Sequence, residues 1–331
     1  MRCYFLFLAI FLFFSCTGKK EESKIPVQNQ IISGDISIGG AYAFSRLMQS
    51  WADSFVQIYP DVEITIEING SSEGLTGLKS GTYDIAMLSN PNDEHDTSGL
   101  VTYIPVVQDA VIPIMNSKNP YLKEIEERGI NPQQFQKLYI LGEKITWGEI
   151  LNNNSGKEVI VYTRSDGSGA AVVWAGFLWK NQADLKGLPV NGEYEMLSKI
   201  QSDVMGIGYS NLANAYDLVT KKPLENIDII PIDLDFDGHV NFKEIKKSGL
   251  DELHRSIWLG KYPKTLCRKL NIAVKSEDLN PQCKEFIHYV LKRGQEQVSG
   301  YGYCELNNIQ LRRSVNILDE VLMQNPEDKN K

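Results

Sequence analysis

The chain has 331 residues, of which 42% are hydrophobic and 23% charged, so it is long and apolar enough to fold as about two domains with full cores. This composition excludes a chain that is disordered throughout. The formal net charge is −8, and no dense cluster of lysine and arginine is present, which argues against a nucleic-acid partner. An anionic ligand must therefore be held by local chemistry rather than by attraction to the whole molecule.

The start of the chain predicts an export signal over residues 1–16. Arg2 supplies a positive end, and residues 4–14 form an unbroken apolar run that is too short to span a membrane comfortably. Residues 13–16, FFSC, resemble a relaxed lipobox, in which the cysteine is acylated and becomes the first residue of the mature protein. We therefore expect an exported protein anchored by lipid to a membrane, at the periplasmic face or cell surface, with residues 17–30 as a tether. An uncleaved anchor helix is the alternative.

From residue 31 onward, short apolar strands alternate with amphipathic helices, which predicts an α/β fold. The predicted strands cover residues 36–38, 62–68, 83–88, 158–163, 227–232 and 270–274, with a long apolar segment at 106–115. The predicted helices cover residues 43–59, 73–79, 170–180, 281–293 and about 315–323. We expect one lobe from residues 31–110 with 264–325 and a second lobe from residues 111–263.

Three predicted strands end in a Gly/Ser-rich turn that leads into a helix, at residues 39–42, 69–72 and 166–169. The free N–H groups and the partial positive charge at a helix start can hold an oxyanion. Serine hydroxyls in these turns can donate further hydrogen bonds, and Arg164 supplies a positive charge and is expected to pair with Asp166. A capped helix start without a ligand is the alternative for any single turn. The combination favours a site for a tetrahedral oxyanion.

The third turn also carries a resemblance. Residues 163–170, TRSDGSGA, resemble the R-x-D-G-S-G-T turn of the phosphate-binding proteins that serve phosphate-specific ABC transporters. Further similar stretches follow the family's order at residues 51–55, 59–60, 70–75, 81–87, 140–147, 206–209 and 261–263. The resemblance therefore covers most of the chain after the tether.

The resemblance implies a class II periplasmic-binding-protein fold, in which two α/β lobes joined by two crossover strands close around a dehydrated ion. It implies ligand contacts from the Tyr42 and Ala43 backbone, Ser71, Ser89, Arg164, Ser168, Gly169 and Ala170. The implied function is high-affinity binding of inorganic phosphate outside the cytoplasmic membrane and its delivery to an ABC permease with its ATPase. We expect a monomer that needs no cofactor for this function.

The chain departs from the family pattern at three positions. The Ser-Thr pair of the first turn is replaced by Ala41 and Tyr42, and the hydroxyl residue after Ser-Gly is Ala170. Many members place an aspartate at or beside Ser89, where it accepts the proton of hydrogen phosphate; here Asn90 follows. Phosphate remains the first expectation, and another oxyanion, or an anchored adaptor or adhesin that lost its ligand, is the alternative.

A second motif fits the loop of an EF-hand at every coordinating position of residues 233–244. The expected oxygen ligands are Asp233, Asp235, Asp237, the carbonyl of His239, Asn241 and Glu244. A strand is predicted before the loop, so we expect an isolated loop in which a bound Ca²⁺ is structural, rather than a sensor pair. An acidic surface loop that needs no ion is the alternative.

The remaining chemistry-bearing residues give weaker signals. Cys267, Cys283 and Cys304 lie in the folded part, where their spacing permits one disulfide or three buried thiols and lacks the pattern of a metal site. Residues 167–169 lack the G-x-S-x-G spacing of a nucleophile turn, and no histidine has a motif that places it beside Ser168. We therefore expect no enzyme activity.

Overall fold

The computed structural model of the chain describes residues 32–89, 99–240, 249–277 and 279–324. Its strands are β1 Gly34–Gly40, β2 Val62–Ile68, β3 Ile85–Leu88, β4 Val101–Asn116, β5 Ile160–Arg164, β6 Leu188–Val190, β7 Gly206–Asn211, β8 Ile227–Ile229 and β9 Cys267–Lys275. Its α-helices are α1 Ser45–Ile58, α2 Ser71–Ser80, α3 Leu122–Arg128, α4 Pro132–Gln136, α5 Trp147–Leu151, α6 Gly169–Phe177, α7 Gly192–Ser202, α8 Leu212–Ala215, α9 Leu250–Trp258, α10 Pro281–Leu291 and α11 Asn308–Gln324.

Short helices of other types complete the described secondary structure. The 3₁₀ turns are Tyr42–Phe44, Gln182–Asp184, Lys264–Leu266, Arg293–Gln297 and Ser299–Tyr301, and Lys137–Leu141 is a π-helical segment. The first of these turns precedes α1, so the helix predicted from residue 43 begins as a tighter turn. None of the helices in the described ranges combines the length and apolar character needed to cross a lipid bilayer.

The strands form one mixed sheet in the order β2-β1-β3-β9-β4-β7-β5-β6, with β8 paired to β4. At one end β1 runs parallel to β2 and β3, and at the other β5 runs parallel to β6 and β7. The long strands β4 and β9 pair antiparallel between these two halves. The predicted class II two-lobed fold with two crossover strands is therefore confirmed, and β4 and β9 are the strands that join the lobes.

Each lobe has its own hydrophobic core. In lobe one the amphipathic helix α1 buries Trp51 and Phe55 completely, and Phe55 packs edge-on against Phe286 of α10. In lobe two Trp174 of α6 stacks on Tyr209 of β7. Strand β4 contributes buried residues to both cores, whereas β9 contributes buried residues to the core of lobe one and only the half-buried Cys267 to that of lobe two. The lobe boundaries predicted after residues 110 and 263 stay predictions.

The strand predicted at 227–232 is shorter than expected. β8 ends at Ile229, and Ile232 makes only an isolated bridge to Ile130. Pro231 lies between them and has no backbone N–H to donate, so a regular ladder cannot continue through it. The C-terminal helix α11 is longer than predicted, since it begins at Asn308.

The three cysteines of the folded part are free thiols. Cys283 and Cys304 are buried and Cys267 is half-buried, and burial raises the pKa of Cys267 to about 11. The spacing of the three cysteines left open one disulfide or three thiols, and the structure has three thiols. The predicted signal peptide, its Cys16 and the tether lie outside the described residues.

Candidate anion-binding cleft

The first predicted turn follows β1. Gly40 has a φ of 132°, and a Cβ there would lie 2.3 Å from the carbonyl oxygen of Met87, so only glycine fits. Ala41 N–H donates to the same carbonyl at 2.9 Å. No side chain of the described residues caps the helix that begins at Tyr42, whose side chain is 70% exposed. The carbonyl of Ala43 accepts a hydrogen bond from the Tyr303 hydroxyl. The turn therefore offers backbone groups rather than side-chain donors.

The second turn joins two of the predicted ligand residues. Ser71 is the first residue of α2, whose start has no side-chain cap within the described ranges. Its Oγ accepts the N–H of Ser89 at 3.1 Å and lies 3.3 Å from the Ser89 Oγ. Since each hydroxyl has one proton, the pair can give one hydrogen bond to the other and still direct a second proton to a ligand.

The third turn brings lobe two against these serines. Ser168 caps α6 by accepting the N–H of Ala171 at 3.3 Å, which leaves its own hydroxyl proton available. A Cβ on Gly169 would lie 3.0 Å from the carbonyl oxygen and 3.3 Å from the Oγ of Ser89. Ala170 is 2% exposed and has no side-chain donor, so its N–H is its only donor. The N-terminus of α6 therefore meets the Ser71–Ser89 pair across the two lobes.

Arg164 ends β5 and is held by two carboxylates. Its Nε and Nη2 donate to both oxygens of Asp166 at 2.6 and 2.5 Å, which is the pairing expected from the sequence. Its Nη1 donates to Glu193 Oε2 at 2.9 Å. Burial alone lowers the pKa of Arg164, but the two carboxylates outweigh it and raise that pKa overall. The guanidinium is thus fixed in orientation and stays charged.

Glu193, near the start of α7, was not predicted from the sequence. Its side chain is 13% exposed, and its Oε1 accepts the Ser210 hydroxyl and, at 3.1 Å, the Asn211 N–H. Burial raises the pKa of Glu193, while Ser210, Arg164 and Asn211 oppose that rise. A carboxylate therefore lies beside the cationic group that the sequence assigns to the ligand.

Arg268 of β9 is a second cation that the sequence did not reveal. Its Nε and Nη2 donate to Asp109 Oδ2 at 3.1 and 2.8 Å, and Nη2 also donates to Asn211 Oδ1 at 2.7 Å. Its Nη1 donates to the carbonyl oxygen of Ser89 at 3.0 Å. Burial raises the pKa of Asp109, and the Arg268 guanidinium opposes the rise. Asp109 interrupts the apolar strand β4, and Arg268 lies beside Lys269 at the start of β9, before the predicted strand. Neither residue belongs to a local motif, so the only sequence signal is the charge of Asp109 within an apolar segment.

Some of the predicted ligand residues are in direct contact, and others are connected only through other residues. Ser71, Ser89 and Gly169 are in contact, and Ser168 and Ala170 flank Gly169 on the same helix start. Arg164 reaches this group through a chain of hydrogen bonds that runs over Glu193, Asn211 and Arg268. Tyr42 and Ala43 begin the helix at the end of β1.

A hydrogen bond between the lobes lies on the surface. Arg46 Nη2, on α1 of lobe one, donates to the hydroxyl of Tyr194, on α7 of lobe two, at 2.9 Å. Tyr194 is 76% exposed. Because the two residues belong to different lobes, this contact depends on the lobes being close together.

The predicted calcium ligands are partly described. Asp233, Asp235 and Asp237 offer carboxylate oxygens that all lie within 4.8 Å of one another. His239 lies in the described part of the loop, whereas Asn241 and Glu244 lie outside it.

Comparison with known proteins agrees with this architecture. The phosphate-binding protein PstS of Pseudomonas aeruginosa is 25% identical over 301 residues, which span 83% of this chain and 84% of that protein. Two solved structures share the fold at 20% identity: a proposed phosphate ABC transporter substrate-binding protein of Clostridium perfringens with bound phosphate (TM-score 0.63, 83% of this chain and 100% of that one) and an ABC-type phosphate transport receptor of Vibrio cholerae (TM-score 0.62, 82% and 100%). The model of the PBP superfamily domain matches residues 26–293, most of the chain, and the chain therefore belongs to the PBP superfamily.

Proposed function

We propose that this protein binds inorganic phosphate in the cleft between its lobes, outside the cytoplasmic membrane, and delivers it to an ABC permease. The observation that carries the proposal is the meeting of the Ser71–Ser89 hydroxyl pair with the α6 N-terminus at Gly169. Hydroxyls and first-turn N–H groups can all donate hydrogen bonds, and donors from two lobes suit an oxyanion, whose oxygens are mainly acceptors.

The ligand would be held by local hydrogen-bond donors and not by net charge, because Asp166 and Glu193 already balance the charge of Arg164. Three of the five N–H donors of Arg164 contact Asp166 and Glu193, so two remain for an anion. The dipole of α6 adds partial positive charge at Gly169. This arrangement supports binding of a dianion by a protein whose net charge is −8.

Selectivity for phosphate needs an acceptor for the proton of hydrogen phosphate. Many members of the phosphate-binding family that the sequence resembles have an aspartate at or beside the position of Ser89, whereas this chain has Ser89 followed by Asn90. Glu193 is the carboxylate beside Arg164, and we propose that it takes this role. Sulfate has no proton at neutral pH, so Glu193 would repel it.

Binding and delivery follow from closure. An ion that contacts Ser89 of lobe one and Gly169 of lobe two binds the closed form better and so shifts the protein towards it. A permease would then bind the protein in this closed form. Nothing in this role needs chemistry on the ligand, so we propose a binding protein and not an enzyme, as the names of its relatives support.

Isothermal titration of the purified, ligand-stripped protein with phosphate, arsenate and sulfate tests the function. We expect phosphate and arsenate to bind and sulfate to bind far more weakly. Arg164→Met should lose at least about 30-fold in phosphate affinity, because charge-assisted hydrogen bonds each contribute about 1.5–3 kcal/mol. Arg128→Met removes an exposed arginine of α3 and should bind as the parent does. Heat with sulfate but none with phosphate would overturn the proposal.

We also propose that the protein is exported and anchored by a lipid on Cys16. The support is the sequence of residues 1–16, a positive end and an apolar run before the cysteine. Cells fed labelled palmitate should label the parent, and Cys16→Ser should abolish the label. An equally labelled Cys16→Ser protein would contradict the anchor.

A further inference from the structure

The loop that follows β8 is fixed to lobe two at both ends. The N–H of Asp233 donates to the carbonyl of Ile130 at 3.3 Å, and the N–H of Val240 donates to the carbonyl of Glu127 at 3.1 Å. Both acceptors lie in or just after α3. The segment between Asp233 and Val240 therefore forms a closed loop against α3 and is held in place by its ends.

Three carboxylates converge inside this loop. Oxygens of Asp233, Asp235 and Asp237 lie within 4.8 Å of one another. At this separation three negative charges repel strongly unless a cation lies among them. Two of the carboxylates also accept backbone hydrogen bonds, Asp233 Oδ2 from Gly238 at 3.2 Å and Asp237 Oδ1 from His239 at 2.7 Å, and these bonds fix their orientation.

A buried, unpartnered oxygen supplies independent support for a ligand. Asp233 is only 4% exposed, and its Oδ1 has no hydrogen-bond partner among the described residues. A charged carboxylate oxygen that is removed from water without a hydrogen-bond donor is costly. A bound cation would satisfy this oxygen and relieve the repulsion at once.

We propose that this loop binds one Ca²⁺ through the carboxylates of Asp233, Asp235 and Asp237 and the backbone carbonyl of His239. These are loop positions one, three, five and seven of an EF-hand, and Gly238, at position six, has the φ of 75° that the sharp turn requires. An all-oxygen ligand set favours Ca²⁺ over Zn²⁺, which prefers nitrogen and sulfur.

Calcium takes six to eight oxygen ligands, so water or further side chains would complete the shell. Asp235 and Asp237 are exposed, so an ion can enter from solvent. The bound ion would hold the loop against α3. No residue of the anion cleft belongs to this loop, so a failed calcium test and a failed phosphate test are independent results.

The test is a calcium titration of the purified protein in Hepes buffer after dialysis against EGTA. We expect one Ca²⁺ per chain, at least about tenfold weaker binding of Mg²⁺, and a rise in Tm of about 5 °C when Ca²⁺ is present at 100 times its Kd. Asp235→Asn with Asp237→Asn should weaken calcium binding at least about 100-fold and abolish the rise in Tm. Both positions are exposed, so this variant should fold.

The matched control is Asp35→Asn with Asp61→Asn, which removes the same charge from two exposed positions of lobe one. It should bind calcium as the parent does. Parent protein that gives neither heat nor a change in Tm with 5 mM calcium, about the upper limit for such loops, would overturn the proposal. So would a loop variant that binds calcium as tightly as the control. The parent titration decides the matter even if the loop variant fails to fold.

Discussion

Asp109 and Arg268 are register partners in the β4–β9 ladder and form an ion pair that solvent does not reach, with side chains 0% and 1% exposed. The other contacts of the guanidinium go to the Ser89 carbonyl and the Asn211 side chain. One side chain therefore links a strand that joins the lobes, a serine of the anion cleft in lobe one and an asparagine of lobe two. Its position couples the stability of the molecule to the geometry of the cleft.

Asp109→Ala should lower the free energy of unfolding by about 3–5 kcal/mol, because it leaves the Arg268 charge buried without its partner. Urea denaturation at pH 7, with phosphate removed, measures the change. Asp61→Ala, at an exposed position, should stay within about 0.5 kcal/mol of the parent. Asp109→Leu combined with Arg268→Met should recover much of the loss, since it removes both charges. A loss below 1 kcal/mol in Asp109→Ala would contradict a tight ion pair.

Gly169→Ala should weaken phosphate binding at least about 30-fold. The new methyl group would lie 2.3 Å from Arg268 Nη1 and 3.0 Å from the Ser89 carbonyl oxygen, so α6 must move away from the serines. Gly167 is the matched control, because a Cβ there meets nothing within 4 Å. Titration calorimetry of Gly167→Ala should give an affinity within about twofold of the parent. Equal affinities for the two variants would exclude a close approach of α6 to Ser89.

Local sequence signals predicted the parts of the fold and of the cleft that local physics determines. The alternation of apolar residues predicted a strand at residues 62–68, and the observed β2 spans Val62–Ile68. The Gly-Ser turn correctly marked the start of α6, where Ser168 accepts a hydrogen bond as the helix cap. The pairing of Arg164 with Asp166 was also predictable, since the two residues lie two positions apart.

The remaining polar groups of the cleft were not predictable from one sequence. Arg268 and Asp109 are 159 positions apart and meet only because β4 and β9 pair. Glu193 is 29 positions from Arg164 and reaches it through the packing of α7 beside β5. No turn or helix period signals such contacts. These contacts depend on the tertiary arrangement, which cannot be inferred from the spacing of residues along the chain.

The Asp166–Arg164 pair should make stability depend on pH. Arg164 and the Gly192 N–H outweigh the burial of Asp166 and lower its pKa, so the folded state holds this proton less tightly than the unfolded state. The resulting stabilisation is present above the unfolded pKa of about 3.9 and is lost as the pH falls through the folded value. Asp166→Asn should therefore be less stable than the parent at pH 7, and the difference should narrow below about pH 4. Urea denaturation from pH 7 to pH 3 measures it, and a constant difference would contradict the pairing.

Glu193→Gln should change the choice between anions. Glutamine keeps the size and one oxygen acceptor for Ser210 and Asn211 but removes a negative charge beside Arg164. We expect sulfate affinity to rise about tenfold or more, because the repulsion is gone, and phosphate affinity to change less. Competition calorimetry with both anions measures the ratio of the phosphate affinity to the sulfate affinity. An unchanged ratio would show that Glu193 does not face the ligand and only orients Arg164.

Tyr194→Phe tests the contact between the lobes. It removes the hydroxyl that accepts from Arg46 Nη2 at 2.9 Å and leaves the exposed ring. A single exposed hydrogen bond contributes about 0.5–1 kcal/mol, so phosphate affinity should fall about two- to fivefold, mainly through faster dissociation. Stopped-flow measurement of phosphate release gives the rate. Arg46→Met should have the same effect, and the double variant should lose no more than either single variant, because both remove one interaction. Additive losses would mean that the two residues act separately and that their hydrogen bond does not hold the lobes closed.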